Sequence, residues 1–414
     1  MSRFLPLLLL LSPAALLIFL LSPCTSLPIR LNLTHIDSKS PNLSMDDRNL
    51  RAVKRSKIRM EFISSRLSTS SLDVRTTVHF DNEEYTADFA IGTPPVSVTA
   101  ILDTGSDLIW TKCETGSSYN PSASSTYSAL SCDSNFCQDS LTSCSDGSTC
   151  SFDAAYGSAN VDGTMATETF SFGGTDVPGL AFGCSNSEMG TATMFSSLLG
   201  MGGGQLSLIS QLGSGKFSYC LTTYGQSITS PLLLGSLATP DPSAQSTPLV
   251  QNPNIPTYYY LSLQGITVGS TLLSIPSSAF AISSDGRGGL IIDSGTSFTI
   301  LVPAAYDVLS QEFQSQMGLP VVTGNNVFDL CFSSPSDGSF QPPKLIFHFE
   351  GADIDLPEKN YLVSDKGGSL LCLAILKGSE DLSLFGNFQQ QNMHIVYDVQ
   401  GGKISFAPAQ CENL

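Results

Sequence analysis

Residues 100–106 read AILDTGS, and residues 290–296 read LIIDSGT. In each copy, apolar residues lead into Asp, Thr or Ser, Gly, and Ser or Thr. Two apolar residues and a glycine follow, at residues 198–200 and 384–386, and end 97 and 93 residues after the two Asp. A single Asp-Thr-Gly is common in turns and caps. The doubled pattern instead predicts two homologous lobes that face each other and contribute one aspartate each.

The two aspartates, Asp103 and Asp293, are the predicted catalytic residues. Each apolar lead-in is typical of a buried strand that ends at the carboxylate. Two carboxylates held close together do not readily both ionise, so they share a proton and activate a water for peptide hydrolysis. This chemistry requires no metal, no cofactor and no covalent intermediate. We expect glycines to allow a tight turn and hydroxyls to fix each carboxylate, at Thr104, Gly105, Ser106, Ser294, Gly295 and Thr296.

The N-terminus has the layout of a secretory signal peptide over residues 1–27. Arg3 is followed by an apolar run with prolines in it and then by small residues near Cys24. A membrane anchor is the alternative, but the uninterrupted apolar stretch is shorter than the roughly 20 residues that span a bilayer. The sequence therefore predicts a secreted protein of the extracellular space (the apoplast), with the vacuole as the alternative destination.

A basic leader precedes an acidic body. Residues 1–80 contain 11 Lys and Arg but 5 Asp and Glu, whereas residues 81–414 contain 8 and 31. Much of the basic charge lies in Arg48–Arg66, whose spacing predicts an amphipathic helix. Such a helix could bind nucleic acid or anionic lipid. In an exported chain with an acidic body, we favour an intramolecular mask over residues 28–80, a prosegment that inhibits its own enzyme.

The body, from residue 81 onward, predicts a mostly β fold. Short alternating apolar runs are separated by Gly, Pro, Ser and Asn, and the best helix candidate is Ala304–Gln316. We divide the body into an N-terminal lobe, 81–255, and a C-terminal lobe, 256–414. Ten cysteines remain beyond Cys24, which predicts five disulfides in an exported chain. Zinc binding is the alternative for the four cysteines between residues 132 and 150, but their spacing lacks the usual close pairs.

From about Glu84 to Cys411 the chain resembles the pepsin-like aspartic peptidases, and within them the nepenthesin-like branch of plants. The resemblance implies a bilobal β fold around a central cleft, with a hairpin flap over it. It also implies polypeptide substrates and a prosegment that blocks the cleft until acid releases it. Tyr156 is the implied flap tyrosine, and Trp110, the single tryptophan, is its implied hydrogen-bond partner. We expect a monomer without nucleic-acid or membrane partners.

The resemblance also implies disulfide pairs that the sequence alone does not select. These are Cys132–Cys150, Cys137–Cys144, Cys220–Cys411 and Cys331–Cys372, with Cys113–Cys184 as the remaining pair. Two departures from the branch stand out. The segment after Cys113 is short and lacks two usual cysteines, and the flap reads YGSAN where the branch has YGDGS. The second departure puts flap mobility in question.

Further positions follow from the motifs. Ile101 and Ile291, each two residues before a catalytic Asp, are expected near the dyad and favour hydrophobic substrate residues. Asn32 and Asn42 are the only N-glycosylation sequons, and both lie in the leader. A catalytically impaired relative of this fold, acting as a binding or inhibitor protein, is the alternative function. The intact aspartate motifs argue against it.

Overall fold

The computed structural model describes residues 27–39, 43–67, 85–113, 119–144, 147–156, 159–185, 196–223, 228–323, 327–335, 339–365, 367–378 and 381–414. The expected signal peptide, apart from its last residue, lies outside the described residues. So do Asn42, the flap residues Gly157 and Ser158, and the segment 68–84 that joins the leader to the body.

Helices are a minor part of the described chain. The α-helices are Met45–Leu67 (α1), Leu208–Leu212 (α2) and Pro303–Met317 (α3). Proline at the start of α3 and Gly318, with φ 68°, at its end match the expected helix boundaries, so this prediction is confirmed. Within the described ranges, no helix combines the length and apolar character needed to cross a membrane. Short 3-10 helices span Ile36–Lys39, Pro121–Ala123, Asn135–Gln138, Gly235–Leu237, Ser277–Phe280, Glu358–Asn360 and Cys411–Asn413.

Strands make up most of the regular structure, which confirms the mostly β prediction. The first half contains β1 (Ile29–His35), β2 (Tyr85–Ile91), β3 (Val96–Asp103), β4 (Trp110–Lys112), β5 (Ser128–Ala129), β6 (Thr142–Ser143), β7 (Ser151–Tyr156), β8 (Ala159–Phe172), β9 (Thr175–Ser185), β10 (Ser197–Gly200), β11 (Lys216–Cys220), β12 (Ser230–Leu234) and β13 (Gln245–Val250).

The second half contains a matching set of short strands. These are β14 (Tyr260–Leu261), β15 (Leu263–Val268), β16 (Thr271–Leu272), β17 (Leu290–Ile292), β18 (Thr299–Leu301), β19 (Val321–Val322), β20 (Cys331–Ser333), β21 (Leu345–Phe349), β22 (Ala352–Leu356), β23 (Leu362–Ser364), β24 (Leu370–Leu373), β25 (Ile375–Lys377), β26 (Ser383–Phe385), β27 (Met393–Asp398) and β28 (Lys403–Pro408).

The sequence repeat corresponds to a repeated strand arrangement. β10 runs parallel to β3, so that Gly200 lies beside Asp103, and antiparallel to β4. In the other half, β26 runs parallel to β17 and antiparallel to β18. The downstream glycines also match: a Cβ on Gly200 would lie 2.3 Å from the carbonyl oxygen of Asp107, and one on Gly386 would lie 2.6 Å from the Phe298 carbonyl carbon. The two lobes therefore share one strand arrangement around their aspartates.

A run of six antiparallel strands within the large sheet joins the two halves. Its order is β1, β12, β11, β27, β28, β13, so strands of the first half meet strands of the second at the β11–β27 and β13–β28 pairs. The leader supplies β1, which is paired on both edges, to β12 and to β2. Alternate side chains of β1, including Ile29, Leu33 and His35, are buried in this position. The leader is therefore part of the folded core.

The basic stretch of the leader forms α1, as its spacing predicts. Ser44 caps the helix: its hydroxyl oxygen accepts the Asp47 N–H at 3.1 Å, and its O–H donates to the Asp47 carboxylate. Asp46 and Asp47 in the first turn and Arg66 in the last match the helix dipole. The apolar face packs against the C-terminal half, where Met60 and Ile63 share a cluster with Tyr258, Phe298 and Phe328.

Five disulfides are present among the described residues. Two join pairs that the resemblance implied, Cys220–Cys411 and Cys331–Cys372, and a third joins the expected remaining pair, Cys113–Cys184. The implied Cys132–Cys150 and Cys137–Cys144 pairs are wrong, because the structure forms Cys132–Cys144 and Cys137–Cys150. All four sulfurs lie close together, with Cys137 Sγ 3.4 Å from Cys144 Sγ. The two buried cysteines, 137 and 150, face the core and bond there, which leaves the two outer ones to each other.

Candidate active site

Asp103 and Asp293 lie at the ends of β3 and β17, and both are buried, with 2% and 0% of their surface exposed. Their surroundings are nearly symmetric. Gly105 N–H donates to Asp103 Oδ1 at 3.0 Å, and Gly295 N–H donates to Asp293 Oδ1 at 2.9 Å. Ser106 Oγ donates to Asp103 Oδ2 at 2.5 Å, and Thr296 Oγ1 donates to Asp293 Oδ2 at 2.7 Å. Each carboxylate is thus held by one amide and one hydroxyl of its own loop.

The residues after each Asp connect the two loops. Thr104 N–H donates to Ser294 Oγ at 3.1 Å, and Ser294 N–H donates to Thr104 Oγ1 at 2.9 Å. Ser294 Oγ in turn donates to the carbonyl of Leu102 at 3.0 Å. These reciprocal bonds fix the relative position of the two carboxylates, so Thr104 and Ser294 act across the lobe boundary.

The glycines of the two motifs are required for space. Gly105 and Gly295 lie in the turns that follow the two Asp, as expected, but neither has a positive φ, so the backbone conformation alone does not require glycine there. A Cβ on Gly295 would lie 2.5 Å from Asp103 Oδ1, and one on Gly105 would lie 2.8 Å from Asp293 Oδ1. Each loop therefore needs a residue without a side chain where the opposite carboxylate approaches.

Arg59 of α1 bridges the two carboxylates. Its Nη2 lies 2.7 Å from Asp103 Oδ1, and its Nε lies 3.0 Å from Asp293 Oδ2. Two further contacts hold α1 to the loop after Asp293: Arg55 Nη2 donates to Ser297 Oγ at 3.0 Å, and Phe298 N–H donates to Ser56 Oγ at 2.9 Å. The leader helix thus fills the space directly over the aspartates.

The site has the electrostatics of a buried dyad. Burial raises the pKa of Asp103, Arg59 opposes this, and the neighbouring Asp293 carboxylate raises it further. Burial disfavours the charge of Arg59, but the two carboxylates raise the pKa of its guanidinium above the ordinary value. Arg59 is therefore a permanent cation that compensates the negative charge of the dyad.

The flap strands β7 and β8 form a hairpin, in which Tyr156 pairs with Ala159. Tyr156 and Trp110 are both buried, with their ring centroids 6.1 Å apart. Burial and then the Asp103 carboxylate raise the pKa of Tyr156, and a hydrogen bond with Trp110 partly opposes this. The structure thus brings Tyr156, the tyrosine expected in a flap, together with Trp110 and Asp103.

The two isoleucines occupy different surroundings. Ile291 is fully buried in the cluster that contains Met60 and Ile63 of α1, so it lies beneath the leader. Ile101, 6% exposed, pairs with Thr86 of β2 and with Leu198 of β10 and is outside that cluster.

Sequence reasoning missed several residues of this region. The basic stretch predicted a mask but did not single out Arg59 among its arginines. Gln390, fully buried, looks like a surface residue in the polar run Gln389–Gln391. Asp107 is buried too, and accepts Gly204 N–H at 2.8 Å and Thr257 Oγ1 at 2.6 Å. The available signal was the position of Asp107 directly after the motif, four residues after Asp103.

Comparisons with known proteins agree with this geometry. Residues 85–236 match the family model described as xylanase inhibitor N-terminal, and residues 258–408 match the model described as xylanase inhibitor C-terminal. The chain is 44% identical to aspartic proteinase nepenthesin-1 of Nepenthes gracilis over 393 residues, which cover 92% of this chain and 89% of that protein. It is also 44% identical to nepenthesin-2 of the same plant, with 92% and 90% covered.

Two matches at lower identity also cover most of the chain. Aspartyl protease family protein 2 of Arabidopsis thaliana is 33% identical, with 92% of this chain and 85% of that protein covered. Among solved structures, the one titled "Crystal structure of edgp" matches with a TM-score of 0.70 at 19% identity, covering 93% of this chain and 96% of that one. At that identity the structural match shows the bilobal fold alone.

Proposed function

Since the chain belongs to the nepenthesin-like branch of the pepsin-like aspartic peptidases and is an aspartic-type endopeptidase, we propose that it is made as a secreted zymogen that cleaves polypeptides in acid. Asp103 and Asp293 are the catalytic pair in this proposal. The observation that supports it most directly is the symmetric, buried pair of carboxylates with Arg59 bound across it.

The pair acts as one acid–base unit once the leader has left. The ionised carboxylate takes a proton from a water between the two loops, and the protonated one donates to the oxygen of the scissile carbonyl. Water oxygen bonds to the carbonyl carbon to give a tetrahedral intermediate. As the C–N bond breaks, the pair gives a proton to the leaving nitrogen and takes one from a hydroxyl of the intermediate, so it ends with the single proton it began with. The shared titration belongs to both residues, so neither is assigned a fixed role. Ile101 and Ile291 are proposed to favour apolar substrate residues beside the scissile bond.

The leader is proposed to inhibit by occupying this place. Arg59 fills the space between the carboxylates and neutralises them, while α1 covers the apolar wall around Phe298. Residues 28–80 form this prosegment, and the body divides into lobes 81–255 and 256–414. The two family matches, which leave residues 237–257 between them, support that division.

Secretion is proposed from the signal-peptide layout and the cysteines. Five disulfides among the described residues indicate an oxidising compartment. The extracellular space is the proposed destination, with the vacuole as the alternative, and the enzyme is proposed to act as a monomer.

The test uses the full-length precursor, brought to acid and freed of its leader. At about pH 3.5, where one proton is shared by an aspartate pair of this kind, we expect it to digest denatured globin and pepstatin to abolish the digestion. If globin is not digested, or is digested at the same rate with pepstatin, the proposal is contradicted. The first outcome would favour the alternative of an inactive binding or inhibitor protein.

Leader release is expected to depend on one buried histidine. Burial, followed by the positive charges of Arg55 and Arg48 on α1, lowers the pKa of His35 from 6.5 to about 3. From β2, the Tyr85 ring meets the His35 ring edge-on at 4.8 Å. Between these two pKa values a released leader binds a proton that the docked leader cannot. Docking is therefore weakened as pH falls below 6.5, by about tenfold per pH unit, and the loss is complete near pH 3.

The measurement is the rate at which activity appears after the precursor is shifted to a series of pH values. Glutamine does not titrate, so the slope of log rate against pH should be shallower in His35→Gln by about one log unit per pH unit between pH 6.5 and 3. His348→Gln is the matched control. That histidine bonds Thr267 and Asp353 in a sheet that does not contain the leader, so the slope should stay unchanged. An unaltered slope in His35→Gln would exclude this role for His35.

A further inference from the structure

Aromatic side chains from both halves of the chain form a buried cluster where the lobes meet. Phe217 and Tyr219 lie on β11, and Tyr397 lies on β27, which pairs with β11 across the lobe boundary. The rings of Phe217 and Tyr397 stack with centroids 4.3 Å apart, and Tyr259 meets Tyr397 edge-on at 5.0 Å. Phe217, Tyr219 and Tyr397 have no exposed surface, so every hydroxyl here needs a partner within the protein.

The hydrogen bonds of this cluster run in one direction. Gln390 Nε2 donates to the carbonyl oxygens of Phe385, at 2.7 Å, and of Asp293, at 3.3 Å. The remaining Gln390 oxygen accepts the hydroxyl of Tyr219 at 2.5 Å. A tyrosine hydroxyl has a single proton, so Tyr219 must be the acceptor in its 2.8 Å contact with Tyr397. Tyr397 therefore donates to Tyr219, which donates to Gln390.

The other end of this series reaches the opposite catalytic loop. Burial raises the pKa of Tyr397 well above its ordinary value, and a hydrogen bond with the Thr104 hydroxyl partly opposes this. Thr104 Oγ1 already accepts Ser294 N–H at 2.9 Å, so its own proton is free for Tyr397, whose oxygen has an unused lone pair. The series thus begins beside Asp103 and ends on the backbone of Asp293.

We propose that Tyr397 and Tyr219 are positioning residues for peptide hydrolysis, which hold the two catalytic loops in the register that lets the aspartates act as a pair. This inference rests on the proposed function of Asp103 and Asp293. Gln390 connects Tyr219 to the Asp293 backbone, and the Thr104 hydroxyl connects Tyr397 to the Asp103 loop. A displacement of about 1 Å between reacting groups can cost about a hundredfold in rate.

Packing and positioning are separable here because they use different atoms. The rings of Tyr219 and Tyr397 pack against Phe217 and Tyr259, and phenylalanine would preserve those contacts. Only the hydroxyls belong to the series that joins the loops. Tyr259 uses a separate bond, to the carbonyl of Met201 at 2.8 Å. Replacing a single hydroxyl therefore tests the hydrogen bonds with the aromatic cluster in place.

The experiment compares Tyr397→Phe and Tyr219→Phe with the wild type, each expressed as full-length precursor and activated in acid. We expect kcat to fall by about 10- to 100-fold, with KM within about twofold, because the loss is in alignment of the reacting groups. We also expect the two limbs of the kcat–pH profile to move, since they report the shared titration of the pair. The double variant should lose no more than about the larger single loss, because the hydroxyls act in series.

Tyr306→Phe is the matched control. Tyr306 is a buried tyrosine of α3 whose hydroxyl has no hydrogen-bond partner within the described part of the chain, so kcat and its pH profile should stay at the wild-type values. Single variants with wild-type kcat and pH limbs would overturn the inference. So would a lower kcat with an unshifted pH profile, which would indicate packing alone. Should Tyr397→Phe fail to fold, Tyr219→Phe gives the same test. Wild-type enzyme without pepstatin-sensitive activity would overturn the proposed function itself.

Discussion

Asp103→Asn is expected to lower kcat/KM of the activated enzyme by about 10⁴-fold, the scale of losing a general acid–base group. Asparagine has nearly the same shape, and its single carbonyl oxygen can still accept one of the two bonds, from Gly105 N–H or from Ser106 Oγ. It cannot take or give the shared proton, so the loss is chemical rather than structural. The measurement is steady-state hydrolysis of a quenched peptide, with the thermal midpoint as a check on folding.

Asp107→Asn supplies the matched control for this substitution. Asp107 lies on the same loop, is also buried, and accepts bonds from Gly204 N–H and Thr257 Oγ1. Asparagine retains one acceptor, so we expect a loss of about 1–2 kcal/mol in stability and a change in kcat/KM of less than about tenfold. Equal losses in Asp103→Asn and Asp107→Asn would mean that the dyad assignment is wrong.

Arg59→Gln is expected to make the uncleaved precursor active. Removing one partner of a buried ion pair costs about 3–5 kcal/mol, because the remaining charge is left uncompensated. Here the uncompensated charge is that of the dyad, so docking of α1 should weaken by about 10²- to 10⁴-fold. The initial rate of peptide cleavage by intact precursor, at a pH where the wild-type precursor is silent, measures the effect. A gel taken at the same time shows that the leader is still attached.

Two other substitutions of α1 complete this test. Lys57→Gln removes the same charge two residues away, from an exposed position, and should leave the precursor silent. Arg59→Lys keeps the charge but cannot span both carboxylates as a planar fork does, so it should give an intermediate rate. A silent Arg59→Gln precursor that still yields active enzyme after acid would show that the rest of the leader inhibits by itself.

The repeat made the overall architecture predictable from sequence. Two Asp motifs, each with a downstream apolar-apolar-Gly, specify strands that must lie side by side, and β10 beside β3 and β26 beside β17 are the result. Helix α3 was predictable because proline and glycine mark its ends. These features are local in sequence or are repeated, so their physical cause is visible in the residues themselves.

Other features depend on which side chains face one another, which sequence spacing does not specify. The pairing of Cys137 with Cys150 depends on which two of four neighbouring sulfurs face the core. Which arginine of α1 contacts the two carboxylates depends on how the helix is rotated about its axis. The bonds of Gln390 join residues far apart in sequence, including Tyr219, 171 positions away. A buried glutamine looks like a surface residue until both of its neighbours are known.

The place of β1 in the sheet has a consequence for the stability of the enzyme if the leader leaves as proposed. β1 is bonded on one edge to β12 and on the other to β2, so its departure would uncover hydrogen-bonding backbone groups on both. An open strand edge is a template for pairing with any extended chain. Release of the leader in acid would then have two effects: it would open the cleft, and it would leave a gap in the sheet between β12 and β2. The newly active enzyme would be the form most prone to self-association, and most readily captured by a peptide shaped like Ile29–His35.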